Sequence, residues 1–129
     1  MPQRVLATWG VAAALAGAAV AGAGTAQAVD VPKWGNVRYV FCSNTQDNNK
    51  ITYYDGLGKR EQIVTLADRT DGDMWCRNVD VVMTEKTFVW SAITHDNANY
   101  VYAAIYVNGR MMAREENRSD YGFVYAQAM

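Results

Sequence analysis

The sequence predicts an all-β fold, an immunoglobulin-like antiparallel β-sandwich of about seven short strands, with a small barrel as the alternative. From residue 29 onward, short strand-like runs follow one another, and no segment shows a helical period. Polar turns separate these runs without a linker or an internal repeat. The pair Asn108-Gly109, between two such runs, is the strongest short hairpin signal that a sequence offers.

The predicted strands can be placed in order along the chain. The first places Val37, Tyr39 and Phe41 on one face. A hairpin then turns at Asp55-Gly56-Leu57-Gly58, where the glycines permit a positive φ. The strand-like runs are 36–42, 51–54, 59–66, 76–83, 87–94, 100–107, 110–115 and 122–126. The segments between them are a leader at 29–35, a loop at 43–49 and a turn at 68–73.

The amino-terminal segment, residues 1 to about 28, resembles a bacterial signal peptide. Arg4 gives a short positive region, and an uncharged stretch rich in alanine follows from Val5 to Ala23. Ala26 and Ala28 stand where signal peptidase requires small residues, before Val29. The sequence therefore predicts a signal peptide at 1–28 and one secreted domain at 29–129.

An uncleaved membrane anchor is the alternative, because about 20 apolar residues can span a bilayer. Alanine and glycine favour insertion weakly compared with leucine or phenylalanine, which favours cleavage. Both interpretations place the domain outside the cytoplasm.

The charge of the expected mature chain is nearly balanced. Of the 12 basic residues Arg4 falls in the leader, so 11 basic side chains stand against 13 acidic ones. This balance argues against nucleic acid or an anionic membrane surface as a partner.

The two cysteines, Cys42 and Cys76, predict a disulfide bond, since an exported protein meets an oxidising compartment. A redox or metal site would require closer spacing or further ligands. In the loop-entropy description, closing a loop of this length stabilises the fold by roughly 4 kcal/mol.

No residue grouping predicts catalysis, a bound metal or a cofactor. Ser91, His95 and Asp96 could be written as a triad, but a strand does not bring them together, and a solvated histidine is the simpler interpretation. Asp68, Asp71 and Asp73 lack the pattern of a calcium loop. The adjacent Glu115 and Glu116 face opposite sides of a strand and do not form an acid and base pair.

Aromatic residues are the candidate ligand-binding residues. Tyr100, Tyr102 and Tyr106 share one face of a predicted strand with Ala104, while the opposite face is aliphatic and predicted to be core. The tyrosine row would suit an apolar or amphipathic ligand, and Trp90 is a further candidate. In the alternative interpretation, the rings merely cover the outer face of the sheet.

Several stretches together resemble the extracytoplasmic domain of the mycobacterial MmpS membrane proteins. They are Ile51-Thr52-Tyr53-Tyr54-Asp55 with Gly58 and Gln62, then Val89-Trp90-Ser91, then 105–110. The resemblance spans residues 37 to 126. It implies an immunoglobulin-like sandwich without catalytic activity that assists a large membrane transporter in exporting lipids or siderophores.

The chain departs from that family in two ways. Ala104 and Tyr125 stand where family members generally have cysteines, and the leader looks cleavable where relatives keep an anchor. We therefore expect a secreted binding or accessory module of an actinobacterial envelope, with a transporter or an amphipathic ligand as its partner. The alternative is a secreted inhibitor or effector that docks a protein through a loop or a sheet edge.

Overall fold

The computed structural model describes residues 28–70 and 72–129, and within these ranges the chain forms eleven β-strands and no helix. The predicted signal peptide therefore lies outside the described residues, except for Ala28. No helix in the described ranges is long and apolar enough to cross a membrane. The strands are β1 (Val29–Val31), β2 (Asn36–Ser43), β3 (Asn49–Tyr54), β4 (Lys59–Val64), β5 (Asp68–Thr70), β6 (Met74–Val82), β7 (Thr87–Val89), β8 (Ser91–His95), β9 (Tyr100–Val107), β10 (Arg110–Arg118) and β11 (Val124–Ala128).

The strands form two main sheets and one small sheet. The five-stranded sheet has the order β10-β9-β2-β6-β5, and the four-stranded sheet has the order β11-β8-β3-β4. The third sheet pairs β1 with β7. All of these strand pairs are antiparallel, and no ladder joins the two main sheets in the described chain. The all-β antiparallel sandwich is thus confirmed, with more strands than the seven expected.

The core lies between the two main sheets and is built around β2. This strand alternates, so Val37, Tyr39 and Phe41 are buried against the facing sheet. The Tyr39 and Phe41 rings lie 5.3 and 6.3 Å from the Tyr53 ring, which belongs to the opposite sheet. Such aromatic residues bury much apolar area, and they account for a dense core in so short a domain.

A partly buried hydrogen bond joins the two main sheets directly. The Tyr39 hydroxyl donates to the backbone carbonyl of Tyr54 at 2.6 Å. Burial raises the pKa of Tyr39, so the phenol stays neutral and remains a donor. The bond fixes the position of β2 relative to β3.

At one side, the edges of the two sheets approach each other. The Asn117 side chain on β10 donates to the Tyr125 carbonyl on β11 at 2.8 Å. This contact partly covers two strand edges that would otherwise expose unpaired backbone groups.

Three local predictions were wrong. The leader at 29–35 contains β1. This strand pairs with β7, and its Val29 and Val31 side chains are buried in the core. The turn at 68–73 contains β5, which extends the five-stranded sheet by pairing with β6. The run 87–94 is two strands in different sheets, separated at Trp90.

We predict that Tyr39→Phe destabilises the protein by about 1–2 kcal/mol, because the Tyr54 carbonyl loses its buried donor while the ring remains. Urea unfolding with the disulfide intact measures this change. Tyr125→Phe is the control, since that hydroxyl lies at the surface, and its effect should stay within about 0.5 kcal/mol. Equal effects of the two substitutions would show that the Tyr39 hydrogen bond does not stabilise the sandwich.

Candidate ligand-binding face

The outer face of the five-stranded sheet carries the predicted tyrosine row. Tyr100, Tyr102 and Tyr106 are half-buried on this face of β9, while the alternate residues of the strand are buried in the core. The structure therefore confirms that β9 has a core face and a tyrosine face.

The disulfide lies on the same face, beside the tyrosines. Cys42 on β2 is directly opposite Cys76 on β6, with a Cα–Cα distance of 4.1 Å, and the two are bonded. On the other side of β2, Cys42 is paired in register with Tyr102. The predicted disulfide is confirmed, and it cross-links the floor of the candidate site.

Two shallow grooves of about 930 and 730 Å³ follow this face, and we call them together the trough. Tyr106 and Val40 line the larger groove, and Tyr100 and Tyr102 line the smaller one. Cys76 and Thr70 border both grooves, so the grooves meet at the disulfide. The trough therefore runs along the strands of the sheet.

An apolar floor runs through the middle of the face. Ala104 and Val40 are cross-strand partners between Tyr102 and Tyr106, and Ala104 is fully buried although it belongs to the outer face. Neighbouring side chains cover Ala104, so Val40 is the member of this apolar pair that lines the larger groove.

Charged side chains of β10 hold two of the tyrosine rings. The Arg118 guanidinium carbon lies 4.4 Å from the Tyr100 ring centroid, and that of Arg114 lies 5.6 Å from the Tyr102 ring centroid. Between the two arginines, Glu116 accepts a hydrogen bond of 2.7 Å from the Tyr100 hydroxyl. These contacts restrict the rings before any ligand arrives, which reduces the entropy lost on binding.

The environment shifts the acidity of these phenols. Burial, and then the hydrogen bond to Glu116, raise the pKa of Tyr100 to about 12. Burial, and then the neighbouring Tyr106, raise the pKa of Tyr102. Both hydroxyls therefore remain neutral hydrogen-bond donors at physiological pH.

The opposite side of the larger groove is also polar. Arg38 donates two hydrogen bonds to Asp80, at 2.7 and 3.0 Å, across the β2–β6 pair. This fork-shaped pair lowers the pKa of Asp80, chiefly through the hydrogen bond from Arg38. The trough thus has an apolar floor and paired charges on both sides.

Trp90 does not join the tyrosines. It is half-buried between β7 and β8, and β8 belongs to the opposite sheet. The structure therefore brings together three of the four predicted ligand-binding residues and leaves Trp90 elsewhere.

The expected solvated histidine is buried, because His95 is 5 % exposed. Its Nε2 lies 2.8 Å from the Asp47 carbonyl oxygen, and its Nδ1 accepts a hydrogen bond from the Asn97 amide. Both ring nitrogens therefore bind backbone, one in the loop before β3 and the other in the loop after β8. Ser91 lies at the other end of β8, about 13 Å away by strand geometry, and its buried hydroxyl has no partner in the described structure. The two residues do not form a nucleophile and base pair.

The aspartate cluster can be assessed in part, because Asp71 lies outside the described residues. Asp68 belongs to β5, and Asp73 pairs with Arg69. Within the described ranges, no group of three His, Cys, Asp or Glu residues could hold a metal ion. Glu115 and Glu116 face opposite sides of β10, as expected, and Glu116 is the one beside the tyrosines.

Sequence reasoning missed the charged residues that flank the trough, Arg114, Glu116 and Arg118. A hairpin with a two-residue turn would pair Tyr102 with Glu115, but a β-bulge near Ile105 shifts the register and places Glu116 there. The available signal was that arginine and glutamate alternate along β10. The sequence did not reveal the bulge, and the bulge decides which of these residues face the tyrosines.

We predict that Tyr100 titrates near pH 12 and that Glu116→Gln lowers this pKa without restoring the ordinary value near 10, because burial is the larger cause. The carboxylate favours the neutral phenol, so removing its charge makes ionisation easier. NMR titration of the tyrosine ring carbons measures both values. An unchanged Tyr100 pKa in Glu116→Gln would contradict the described contact.

Comparisons of the chain with protein-family models, with curated proteins and with solved structures find no match. The interpretation of the trough therefore rests on its own geometry.

Proposed function

We propose that the protein is an extracytoplasmic, non-enzymatic binding module that holds an elongated amphipathic ligand in the trough. The observation that carries this proposal is the row Tyr100, Tyr102 and Tyr106 beside an apolar floor, with the rings of Tyr100 and Tyr102 restrained by charged residues. Restrained tyrosines give large contact areas at low entropic cost, and they are frequent in binding sites.

The dimensions and chemistry of the trough favour a long ligand with few charges. From Tyr100 to Tyr106 the strand extends about 20 Å, which suits an extended chain. Val40 would contact apolar parts of the ligand, and the tyrosine hydroxyls would bind its polar groups. Since Arg38 and Glu116 already have partners, a ligand with several charges would have to displace existing pairs.

The cellular role is proposed from the resemblance to MmpS extracytoplasmic domains. We propose that the module assists the movement of lipids or siderophores through an actinobacterial envelope, beside a membrane transporter. The Cys42–Cys76 disulfide supports an oxidising compartment, as an extracytoplasmic location requires.

We predict that Tyr102→Ala weakens binding of monomeric lysophosphatidylcholine, a single-chain amphiphile, by at least about tenfold, because a restrained ring is lost from the centre of the trough. Isothermal titration measures the affinity. Mass spectrometry of the protein recovered from the producing cell would identify a retained natural ligand.

Tyr125→Ala is the matched control, because Tyr125 is a strand tyrosine that belongs to the opposite sheet. Its affinity for the amphiphile should stay within about twofold of the unsubstituted protein. Binding that is absent, or equally weakened by both substitutions, would contradict the proposed role of the trough.

A second candidate function is docking of a protein partner by the turn between β10 and β11. Tyr121 is 97 % exposed and Phe123 is 59 % exposed, and such aromatic residues at a turn are typical of binding hot spots. In this case Tyr121→Ser with Phe123→Ser would abolish a stoichiometric complex with a purified partner, while Tyr102→Ala would leave the complex intact.

A further inference from the structure

The two ends of the sandwich differ in charge. We call one the basic end, defined by turns 32–35, 55–58, 83–86 and 108–109 and the residues beside them. The opposite end is formed by the loops at 44–48, 65–67, 96–99 and 119–123 and by the β5–β6 turn. The turns of each set lie at the same end of the sandwich. Neighbouring strands run in opposite directions, so successive turns fall at opposite ends of the sheets.

The basic end carries more positive than negative side chains. Its exposed basic residues are Lys33, Lys59, Arg60, Lys86 and Arg110. Its acidic residues are Asp30, Asp55 and Glu85, of which Asp55 is occupied by an ion pair with Arg60.

The opposite end has the reverse charge. Its exposed carboxylates in the described residues are Asp47, Asp68, Asp73, Asp96 and Asp120, against Lys50, Arg69 and Arg118. The net charge of −1 therefore averages over two ends of opposite sign. The total charge alone therefore does not exclude an anionic surface as a partner of one end.

Large apolar side chains project from the basic end. Leu57 is 89 % exposed, and Trp34 and Phe88 are each 62 % exposed. Trp34 has a φ of 67°, which is unusual for a bulky residue, and its amide donates to the Met83 carbonyl. The Lys33 ammonium lies 5.5 Å from the Trp34 ring centroid. The backbone is thus held in a rare conformation while the indole remains in solvent.

The two apolar turns are neighbours. A Cβ at Gly56, beside Leu57, would lie 3.4 Å from the Met83 sulfur, and Met83 also contacts the Trp34 turn through two backbone hydrogen bonds. The turns that carry Trp34 and Leu57 therefore both lie against the buried Met83, at the end of the sandwich that carries the exposed basic residues.

We propose that the basic end docks on a bilayer that contains anionic phospholipids, with Trp34 and Leu57 entering the interfacial region. Tryptophan prefers this region, and exposed leucine gains by leaving water. Lysine and arginine beside the insertion point are attracted to acidic headgroups, while the acidic end is repelled. Lys33, Lys59, Lys86 and Arg110 supply the charge complementarity.

This docking fixes the direction of the whole domain. The strands would run between the membrane and the solvent, so the trough would lead from Tyr106 near the bilayer to Tyr100 at the far end. The fold also begins at this end, because β1 pairs there with β7. The proposal does not depend on a ligand in the trough, and each can fail without the other.

The test measures how the Trp34 indole responds to vesicles. Full-length protein is mixed with phosphatidylcholine vesicles that contain or lack phosphatidylglycerol and carry brominated acyl chains as quenchers. The readout is the emission of Trp34 alone, obtained by subtracting the spectrum of Trp34→Phe. Insertion of the uncharged stretch from Val5 to Ala23 would quench Trp34 in both kinds of vesicle, so the difference between vesicles with and without phosphatidylglycerol reports the basic end.

We expect quenching of Trp34 in vesicles with phosphatidylglycerol and little in vesicles without it. Lys33→Glu with Lys86→Glu should weaken the response by at least about 25-fold, since each basic residue near the surface contributes about fivefold. Lys50→Glu with Arg69→Glu changes the net charge equally but lies outside the basic end, and it should leave the quenching in place.

Three results would overturn the proposal. They are an unquenched Trp34, equal quenching with and without phosphatidylglycerol, and an equal loss in both charge-reversed pairs. Leu57→Ser gives an independent readout, because it leaves every charge in place and should still reduce the quenching.

Discussion

The alternation of strand β2 is the constraint on which the rest of the structure depends. β2 is paired on both sides, so its register is fixed, and a slip by one residue would reverse its two faces. One face places Tyr39 and Phe41 in the core, where they contact Tyr53 of the other sheet. The other face places Val40 and Cys42 in the trough. Core and candidate site are therefore two faces of one strand.

The trough is rigid for reasons that can be traced to neighbours of β2. The disulfide ties β2 to β6, and the ladder ties β2 to β9. The β-bulge then brings Glu116, Arg114 and Arg118 beside the tyrosine rings. Because these restraints exist without a ligand, binding would cost little ordering of the protein. A rigid face with neutral phenols and paired charges is suited to binding.

The sequence predicted the parts of this arrangement that depend on local pattern. Alternation identified the two faces of β9, and Asn108-Gly109 identified the β9–β10 hairpin. The cysteine pair was predicted from its context. Long-range effects were harder, since the bulge, the burial of His95 under the Asp47 carbonyl and the pairing of β1 with β7 depend on tertiary contacts that no local window contains.

The separation of charge between the two ends of the sandwich is the clearest example of a feature that no local sequence pattern predicts. Composition gives one total, but alternate turns of an antiparallel fold fall at opposite ends, so basic and acidic loops become segregated. A basic end with an exposed Trp34 and Leu57 follows from topology together with sequence, and from neither alone. In the two proposals together, one face of the domain binds a ligand and one end docks on a surface.

The central claim is that the outer face of the five-stranded sheet binds an amphipathic ligand, and amide NMR mapping tests it most directly. During titration with monomeric lysophosphatidylcholine, the account predicts shift changes along β9 and β2, centred on Tyr102, Ala104 and Cys42. The outer face of the four-stranded sheet, at Thr52, Thr94 and Gln127, should remain unchanged. Changes centred on that second face, or spread equally over both sheets, would contradict the account.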